Sequence, residues 1–203
     1  SLQVFHNNQL VSSRTQTNLT TTFYYDPLGR QVARKDPRTG ISKSQYNDQH
    51  RLSAFEDAAG NTTRFEYNEK GEKVAEINAH NKYTRFSYTP LGQLQRTWGD
   101  VPYPVAYEYN GYGEKTGMFT YRKDYKWPSP TWPKNTSGDQ TRWLYHEPTG
   151  LLIGKRDAQG HGADYLYNEA NKLQSRTWAR GIITHYSYAT TGELLEVDYS
   201  DKT

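Results

Sequence analysis

Short runs of alternating apolar and polar residues recur along this chain, and each run ends at a tyrosine. Phe65-Glu66-Tyr67 and Tyr107-Glu108-Tyr109 show the form, in which a polar residue separates two rings. Side chains two positions apart lie on the same side of a strand. Each run therefore predicts a half-buried β-strand with a pair of rings on one face and polar groups on the other.

The tyrosines that end these runs, here called the anchor tyrosines, recur at a nearly constant spacing. The first five are 21 residues apart, one interval of 36 residues follows, and the last two steps are 22 and 21 residues. A fixed period of this length is the signature of a repeat architecture. The anchors are Tyr25, Tyr46, Tyr67, Tyr88, Tyr109, Tyr145, Tyr167 and Tyr188.

A turn is predicted after each anchor. In Asp26-Pro27-Leu28-Gly29 the Asp side chain can accept a backbone N–H two residues on, Pro fixes φ, and Gly takes the positive φ that ends the turn. A second short apolar run and a second turn, such as Asp57-Ala58-Ala59-Gly60, complete the repeat as strand, turn, strand, turn. The glycines expected to anchor the first turns are Gly29, Gly71, Gly92 and Gly192.

These repeats predict an all-β fold, an antiparallel β-hairpin meander that forms a curled single-layer sheet strip with an inserted Pro/Trp-rich loop. Residues 1–203 are expected to be one array of about eight repeats, interrupted by an insertion at residues 111–140. Rings of neighbouring repeats are expected to stack as cross-strand ladders. Residues 2–11 and 194–199 are expected to be edge strands that pair with further sequence, a second copy or a partner.

The pattern resembles the YD-repeat, or Rhs-repeat, family. The resemblance lies in Phe23–Arg30, Phe65–Glu72 and the second-turn segment Asp57–Thr63. It implies a β-sheet strip that can spiral into a large hollow shell. In such families the shell belongs to polymorphic toxins, insecticidal toxin complexes and teneurin-like surface proteins, and it can enclose a toxic C-terminal domain. A secreted or cell-surface bacterial protein is therefore implied.

The composition favours a thin, ordered sheet. Only 33% of residues are hydrophobic, but 14% are aromatic, and each ring can bury a large apolar area. The 25 basic and 22 acidic residues make a mixed surface, so no nucleic-acid partner is expected. No apolar run is long enough to predict a membrane span. The chain has no Cys, which excludes disulfides and Cys-ligated zinc.

No catalytic residues are predicted. The six His lack metal-ligand spacing, and neither a Gly-x-Ser-x-Gly nor a His-Glu-x-x-His motif occurs. The self-cleaving aspartyl site of the family uses two separated Asp-Pro-x-Gly segments. Here Asp26–Gly29 is the turn of an ordinary repeat, so that activity is not carried over. The chain is expected to be no enzyme and to need no metal or cofactor.

The insertion carries the most distinctive residues of the chain. Three Pro within residues 128–133 exclude a central strand and favour extended backbone. Two interpretations remain open. Its Trp rings form a lid over the hydrophobic face of the strip, or Tyr125, Trp127 and Trp132 bind a ligand.

Two functions follow from these features. The first is a non-catalytic segment of a shell that encapsulates or displays a toxin or adhesion domain. Its partners would be the remaining repeats of a longer parent chain or an enclosed C-terminal domain. The alternative is a repeat module that binds a carbohydrate or cell-surface partner through the aromatic insertion. Edge-to-edge self-association is a further expectation.

Overall fold

The computed structural model describes residues 2–201, and in that range the chain contains eighteen β-strands and no helix. A helix able to cross a membrane is accordingly not found among these residues. The structure confirms the predicted all-β class. The chain forms two compact units. Unit one contains the described residues up to Tyr88 together with Trp98–Pro102, and unit two contains Thr89–Thr97 and the described residues from Tyr103 onward.

The strands of unit one follow the predicted hairpins. They are β1 (Leu2–His6), β2 (Gln9–Arg14), β3 (Thr20–Tyr25), β4 (Gln31–Asp36), β5 (Gly40–Tyr46), β6 (Leu52–Glu56), β7 (Thr62–Tyr67), β8 (Lys73–Ile77) and β9 (Tyr83–Tyr88).

The strands that follow along the chain include β10 (Leu94–Gly99), of which Leu94–Thr97 belong to unit two. The others are β11 (Val105–Tyr109), β12 (Lys115–Thr120), β13 (Asp139–Tyr145), β14 (Leu152–Arg156), β15 (Gly162–Tyr167), β16 (Leu173–Thr177), β17 (Ile183–Tyr188) and β18 (Leu194–Tyr199). The odd-numbered strands from β3 to β17 end at an anchor tyrosine and are called anchor strands. The even-numbered strands are called return strands.

Within each unit every strand pairs antiparallel with the strand next to it in the chain. Unit one is a meander from β1 to β9, and unit two is a meander from β10 to β18. The strand contacts within each unit join only these neighbours, so each meander is a single layer. The predicted hairpin meander is therefore confirmed.

The seven anchor hairpins whose two strands lie within one unit each contain a β-bulge next to the anchor tyrosine. In the first of them Tyr24 pairs with Ala33 and Tyr25 pairs with Gln31, so one return-strand residue is left over. A turn that ends in a positive φ produces this bulge, because the extra residue lets the hairpin close with the twist of its strands. The recurrence of the turn thus sets the register of every repeat.

Few side chains are fully buried, as a single-layer sheet requires. The buried apolar residues are Ala75, Ile77 and Trp98 in unit one and Trp127 and Ala163 in unit two. Most other strand residues are half-buried. Stability must therefore come from contacts between successive strands and turns, as in other repeat proteins whose units contact only their neighbours.

Candidate functional site

Each anchor tyrosine uses its hydroxyl in the same way. The phenolic O–H donates to a main-chain carbonyl at the start of an earlier return strand, with O–O distances of 2.6–3.0 Å. The acceptor lies 15 residues upstream in seven repeats and 30 residues upstream at Tyr145, where the insertion intervenes. The acceptors are Leu10, Gln31, Leu52, Lys73, Leu94, Lys115, Leu152 and Leu173. This bond explains why the anchor is Tyr and not Phe.

The anchor rings are half-buried, and the contacts described for them are with cations. The Arg30 guanidinium lies 4.7 Å from the ring centroid of Tyr46, and the Lys172 ammonium lies 5.2 Å from that of Tyr188. Within each unit, as far as residues 2–201 are described, no two anchor rings contact each other, so the expected ring-on-ring ladder is not formed there. A return strand separates equivalent rings of successive repeats, which places them about 10 Å apart, beyond the roughly 4.5–7 Å range of ring pairs.

The turn after the anchor is held by its first side chain. Asp26 Oδ1 accepts the backbone N–H groups of Leu28 and Arg30, each at 2.9 Å. The fourth residue after the anchor tyrosine has positive φ. This angle is +81° at Gly29 and lies between +80° and +96° at Gly71, Gly92 and Gly192. His50 takes the same conformation in the second repeat. Gly adopts it without steric cost, which accounts for its frequency there.

The first turn residue and the residue four positions later form a complementary pair. Asp26 makes an ion pair of 2.7 Å with Arg30. Where the later residue is Glu72 or Glu114, an amide replaces the acid, and Asn68 Nδ2 donates to Glu72 Oε2 at 2.6 Å. The last repeat differs, because Ala189 has no polar side chain to pair with Glu193. A carboxylate is thus kept away from a second carboxylate, which would repel it.

The later residue of the pair also reaches the turn of the next repeat. Gln93 Nε2 donates to the carbonyl oxygen of Gly113 at 3.1 Å, and Lys172 Nζ donates to that of Gly192 at 2.5 Å. These bonds, and the contact of Arg30 with His50 in the next turn, tie pairs of neighbouring turns along one edge of the meander. This linkage adds a second contact between repeats to the tyrosine hydroxyl bond.

Asn68→Asp is expected to lower the free energy of unfolding by about 1 kcal/mol at neutral pH. The substitution removes the donor to Glu72 and places two carboxylates together. The matched control is Asn47→Asp, which puts the same charge beside Arg51 and should leave stability unchanged or raise it. Urea unfolding measures both. Equal effects of the two substitutions would contradict the pairing.

The anchors also predict a loss of stability in alkali. Burial raises the pKa of Tyr88, Tyr109, Tyr145 and Tyr167 above the usual tyrosine value. The folded state therefore holds these phenolic protons more tightly than the unfolded chain. Their contribution is complete below about pH 10 and is lost as pH rises through the folded pKa values. Urea midpoints should fall above pH 10, less so in Tyr88→Phe, and a midpoint that stays flat with pH would contradict this.

The insertion folds into an aromatic cluster. Tyr121, Tyr125, Trp127 and Trp132 contact one another with ring centroids 5.0–6.5 Å apart, mostly edge to face. Trp127 is only 8% exposed, whereas Tyr125 and Trp132 are half-buried. Trp127 Nε1 donates to the Lys123 carbonyl oxygen at 3.2 Å. The three residues expected to bind a ligand thus lie together, with Trp127 in the interior of the cluster.

The cluster packs on the sheet face opposite the anchor rings. Arg96, Ala106 and Phe119 are register partners and form one row across β10, β11 and β12. The Arg96 guanidinium lies 5.2 Å from the ring centroid of Trp132. Because Ala106 precedes Tyr107, this row faces away from the aromatic pair. The segment covers part of the sheet, as the lid interpretation expected, but on the polar face and not on the hydrophobic one.

A cleft of about 430 Å³ lies beside the cluster. Its lining includes Arg96, Glu108, Tyr121, Trp132 and Thr136. Burial raises the pKa of Tyr121, although its bond to the Thr136 hydroxyl opposes the shift, so the phenol stays protonated at neutral pH. The cleft thus offers a guanidinium, a carboxylate, hydroxyls and ring edges. These groups suit a polar ligand of modest size.

A metal site is not formed by the described part of the chain, residues 2–201, where no group of three or more His, Asp or Glu could hold an ion. Tyr121 and Arg96 also belong to the site, although nothing in the sequence pattern singles them out. The period places the insertion at residues 111–140, but residues 115–120 form the return strand β12, so the added segment is confined to residues 121–138. The period also carries no signal for the face on which this segment packs.

Comparison with known proteins identifies a repeat family and a fold. Residues 46–79 match the family model described as RHS Repeat. No curated protein matches this chain. Among solved structures, the Photorhabdus luminescens Tc holotoxin pore carrying a TccC3 mutation aligns over 95% of this chain and 14% of its own, at 14% identity and a TM-score of 0.61.

Two further structures share the fold. A TcdB2-TccC3-Cdc42 structure aligns over 95% of this chain and 12% of its own, with 16% identity and a TM-score of 0.65. A TcdB2-TccC3 structure without its hypervariable C-terminal region aligns over 88% of this chain and 11% of its own, with 16% identity and a TM-score of 0.61. The chain thus spans only 11–14% of each of these three structures. The predicted resemblance of this chain to the Rhs-repeat family is confirmed by the match of residues 46–79 to the RHS Repeat model.

Proposed function

We propose that this chain is a non-catalytic segment of a repeat-built wall that encloses or displays another protein domain, such as a toxin or adhesion domain. Its partners would be further repeats of a longer parent chain or an enclosed C-terminal domain. The parent protein would be secreted or exposed at the surface of a bacterium. The fold shared with Tc toxin structures, of which this chain spans 11–14%, supports this role.

The observation that carries the proposal is the repeated bond from each anchor hydroxyl to an earlier return strand. The same contact recurs at all eight anchors, and Tyr145 makes it across the insertion. A contact of this kind can be extended repeat by repeat without changing its geometry. It suits a continuous wall better than an active site, which needs a few groups that converge on one point.

Limited proteolysis of the gene product that contains this chain tests the wall. A domain enclosed by the wall should resist trypsin, and Tyr67→Ala should expose it by loosening neighbouring repeats. Glu66→Ala, on the opposite face of the same strand, is the control and should leave protection intact. If every non-repeat domain were cut at the same rate with and without Tyr67→Ala, the wall proposal would be overturned.

A second candidate function is carbohydrate or cell-surface binding at the insertion. The cleft beside Trp132 supports it, because Arg96 and Glu108 offer both hydrogen-bond donors and acceptors beside aromatic rings. The anchor hydroxyl bond is made across this segment by Tyr145, so the sheet itself does not need the insertion. The ordered cluster therefore calls for another role.

Tryptophan fluorescence tests this candidate with cellotriose, maltotriose and chitotriose as probes. A saturable change with at least one probe is expected, and Glu108→Gln should weaken it at least about tenfold if the carboxylate accepts a sugar hydroxyl bond. Glu66→Gln changes the equivalent position of a repeat without an insertion and should have no effect. No response to any probe, or equal responses of the two variants, would discard the candidate.

A further inference from the structure

A second cleft lies next to the one beside the insertion. Its volume is about 710 Å³, and Glu108 lines both clefts. The second cleft lies beside the turn that follows Tyr109 and the end of β13, and both clefts belong to unit two. The lining of the second cleft includes Glu114, Arg142, Leu144 and Glu147. The two clefts therefore meet at one side chain and form a single groove.

The groove lies on the sheet face opposite the anchor rings. Glu108 and Arg142 pair with Gly117 from its two sides, so these three residues form one row across β11, β12 and β13. Directly opposed residues of neighbouring strands share a face. Glu108 is two positions from Ala106, which faces away from the anchor rings, so the whole row faces that way as well. The groove thus continues along the face that the insertion partly covers.

Gly117 makes room for the carboxylate at the junction of the two clefts. Gly117 is buried, and a Cβ on it would lie only 2.8 Å from Glu108 Oε2 and 3.4 Å from Gln140 Nε2. The Glu108 carboxylate therefore lies over β12, at the centre of the groove. Glycine in a strand interior often marks such a close approach. The same place in the repeats of unit one is occupied by Ala33, Ala54 and Ala75.

The charges at this junction are opposite in sign and available to a ligand. Within residues 2–201 neither the Glu108 carboxylate nor the Arg142 guanidinium forms an ion pair or a hydrogen bond, and both residues are exposed. Arg96 lines the first cleft, and Glu114 and Glu147 line the second. A polyanion would be repelled by the three carboxylates and a polycation by the two guanidiniums. The mixture of donors and acceptors suits a neutral ligand with many hydroxyl groups.

Each of the two clefts also has an aromatic ring in its lining. Trp132 lines the first cleft, and Tyr112 lines the second, where it is 84% exposed. Such side chains offer an apolar ring face together with a polar group. An extended peptide, in contrast, gains affinity from main-chain bonds to an open strand edge. Strands β11, β12 and β13 are each paired on both sides, so the groove offers no such edge.

We infer that the groove binds a neutral oligosaccharide chain long enough to occupy both clefts, with Glu108 and Arg142 hydrogen-bonded to sugar hydroxyls near its centre. The inference rests on the proposed carbohydrate function of the insertion and extends that site beyond the first cleft. A ligand that occupies two linked sites gains affinity over a ligand that occupies only one of them. The site should therefore select for chain length, which a single cleft does not.

Titration calorimetry with oligosaccharides of two lengths tests the inference. Cellotriose, maltotriose and chitotriose are compared with the hexasaccharides of the same three series. In a series that binds, the hexasaccharide should bind at least about tenfold more tightly than the trisaccharide, which exceeds the few-fold statistical gain of a longer chain. The affinity should not depend on salt concentration, because the ligand carries no charge.

Arg142→Ala locates the added part of the site. It removes the guanidinium at the junction and should reduce the gain from chain length to about twofold or less. Arg64→Ala is the matched control, because Arg64 pairs with Ala54 as Arg142 pairs with Gly117, but it belongs to a repeat without an insertion. This variant should keep the full gain. Both arginines are exposed, so neither substitution should disturb the fold.

The outcomes separate this inference from the function on which it rests. Trisaccharide binding with only a few-fold gain for the hexasaccharide, or an equal gain in Arg142→Ala and Arg64→Ala, would overturn the extended groove and leave carbohydrate binding at the first cleft standing. A failure of every sugar at both lengths would remove the carbohydrate function and the inference with it. Tighter binding of a neutral hexapeptide of Gly, Ser and Tyr than of any hexasaccharide would assign the groove to a polypeptide and would also contradict the inference.

Discussion

Tyr67→Ala should lower the free energy of unfolding by about 2–4 kcal/mol, somewhat less than truncation of a fully buried ring. The ring is half-buried, its hydroxyl donates to the Leu52 carbonyl oxygen at 2.8 Å, and the Arg51 guanidinium lies 5.8 Å from its centroid. Truncation removes all three contacts and leaves the carbonyl without its donor. The loss is large because the single-layer sheet has no second layer to fill the gap.

Chemical denaturation measures this effect, with Glu66→Ala as the matched control. Glu66 lies one residue away on the opposite, exposed face, and its truncation should change stability by no more than about 0.5 kcal/mol. A Tyr67→Ala protein as stable as the control would show that the anchor ring does not hold neighbouring repeats together.

Gly99→Ala is expected to cost about 3 kcal/mol or more, since it combines backbone strain with overpacking. Gly99 has φ of +133° and is buried, and a Cβ there would collide with the carbonyl oxygen of Tyr83. That carbonyl already accepts Asp100 N at 2.8 Å, and Tyr83 N donates to Asp100 Oδ2 at 2.9 Å. The added methyl group would push Tyr83 and Asp100 apart and weaken both of these hydrogen bonds.

The control for Gly99→Ala is Gly60→Ala in the same unit. Gly60 also has positive φ, +85°, but a Cβ there would meet no atom within 4 Å. Its substitution should cost only the backbone term, about 1 kcal/mol. Thermal melts of the two variants separate the cost of the collision with Tyr83 from the cost of backbone strain at positive φ. Similar losses in both would mean that the close approach to Tyr83 is not maintained in solution.

Much of the fold could be predicted from the sequence, because each repeat states the same pattern of rings, turn residues and glycines. The second repeat departs from the pattern of rings, and the strand register explains how the structure makes up the difference. The second repeat has Ser44 where other repeats have a ring, and the structure pairs Ser44 with Phe55 across the hairpin. The ring missing from the anchor strand is thus supplied by the return strand. A period measured on single positions does not reveal such an exchange.

The contacts of the anchors could not be predicted in the same way. The spacing shows that Tyr67 recurs, but not that its hydroxyl reaches the main chain of Leu52, because that bond depends on how far the bulge turns the ring. The face of the sheet on which the insertion packs could not be predicted from the sequence either. Trp132 could pack on either side of the sheet, and its stacking on Arg96 depends on a row of side chains, Arg96, Ala106 and Phe119, that only the strand register brings together.

The claim that anchor hydroxyls join successive repeats is tested most directly by a Tyr→Phe series. Replacing Tyr25, Tyr67, Tyr109 and Tyr167 singly by Phe keeps each ring and removes only its bond. Each variant should lose about 0.5–1.5 kcal/mol of unfolding free energy, the net worth of one hydrogen bond. Tyr24→Phe, on the other face and 47% exposed, should lose nothing. Four anchor variants as stable as Tyr24→Phe would contradict the account.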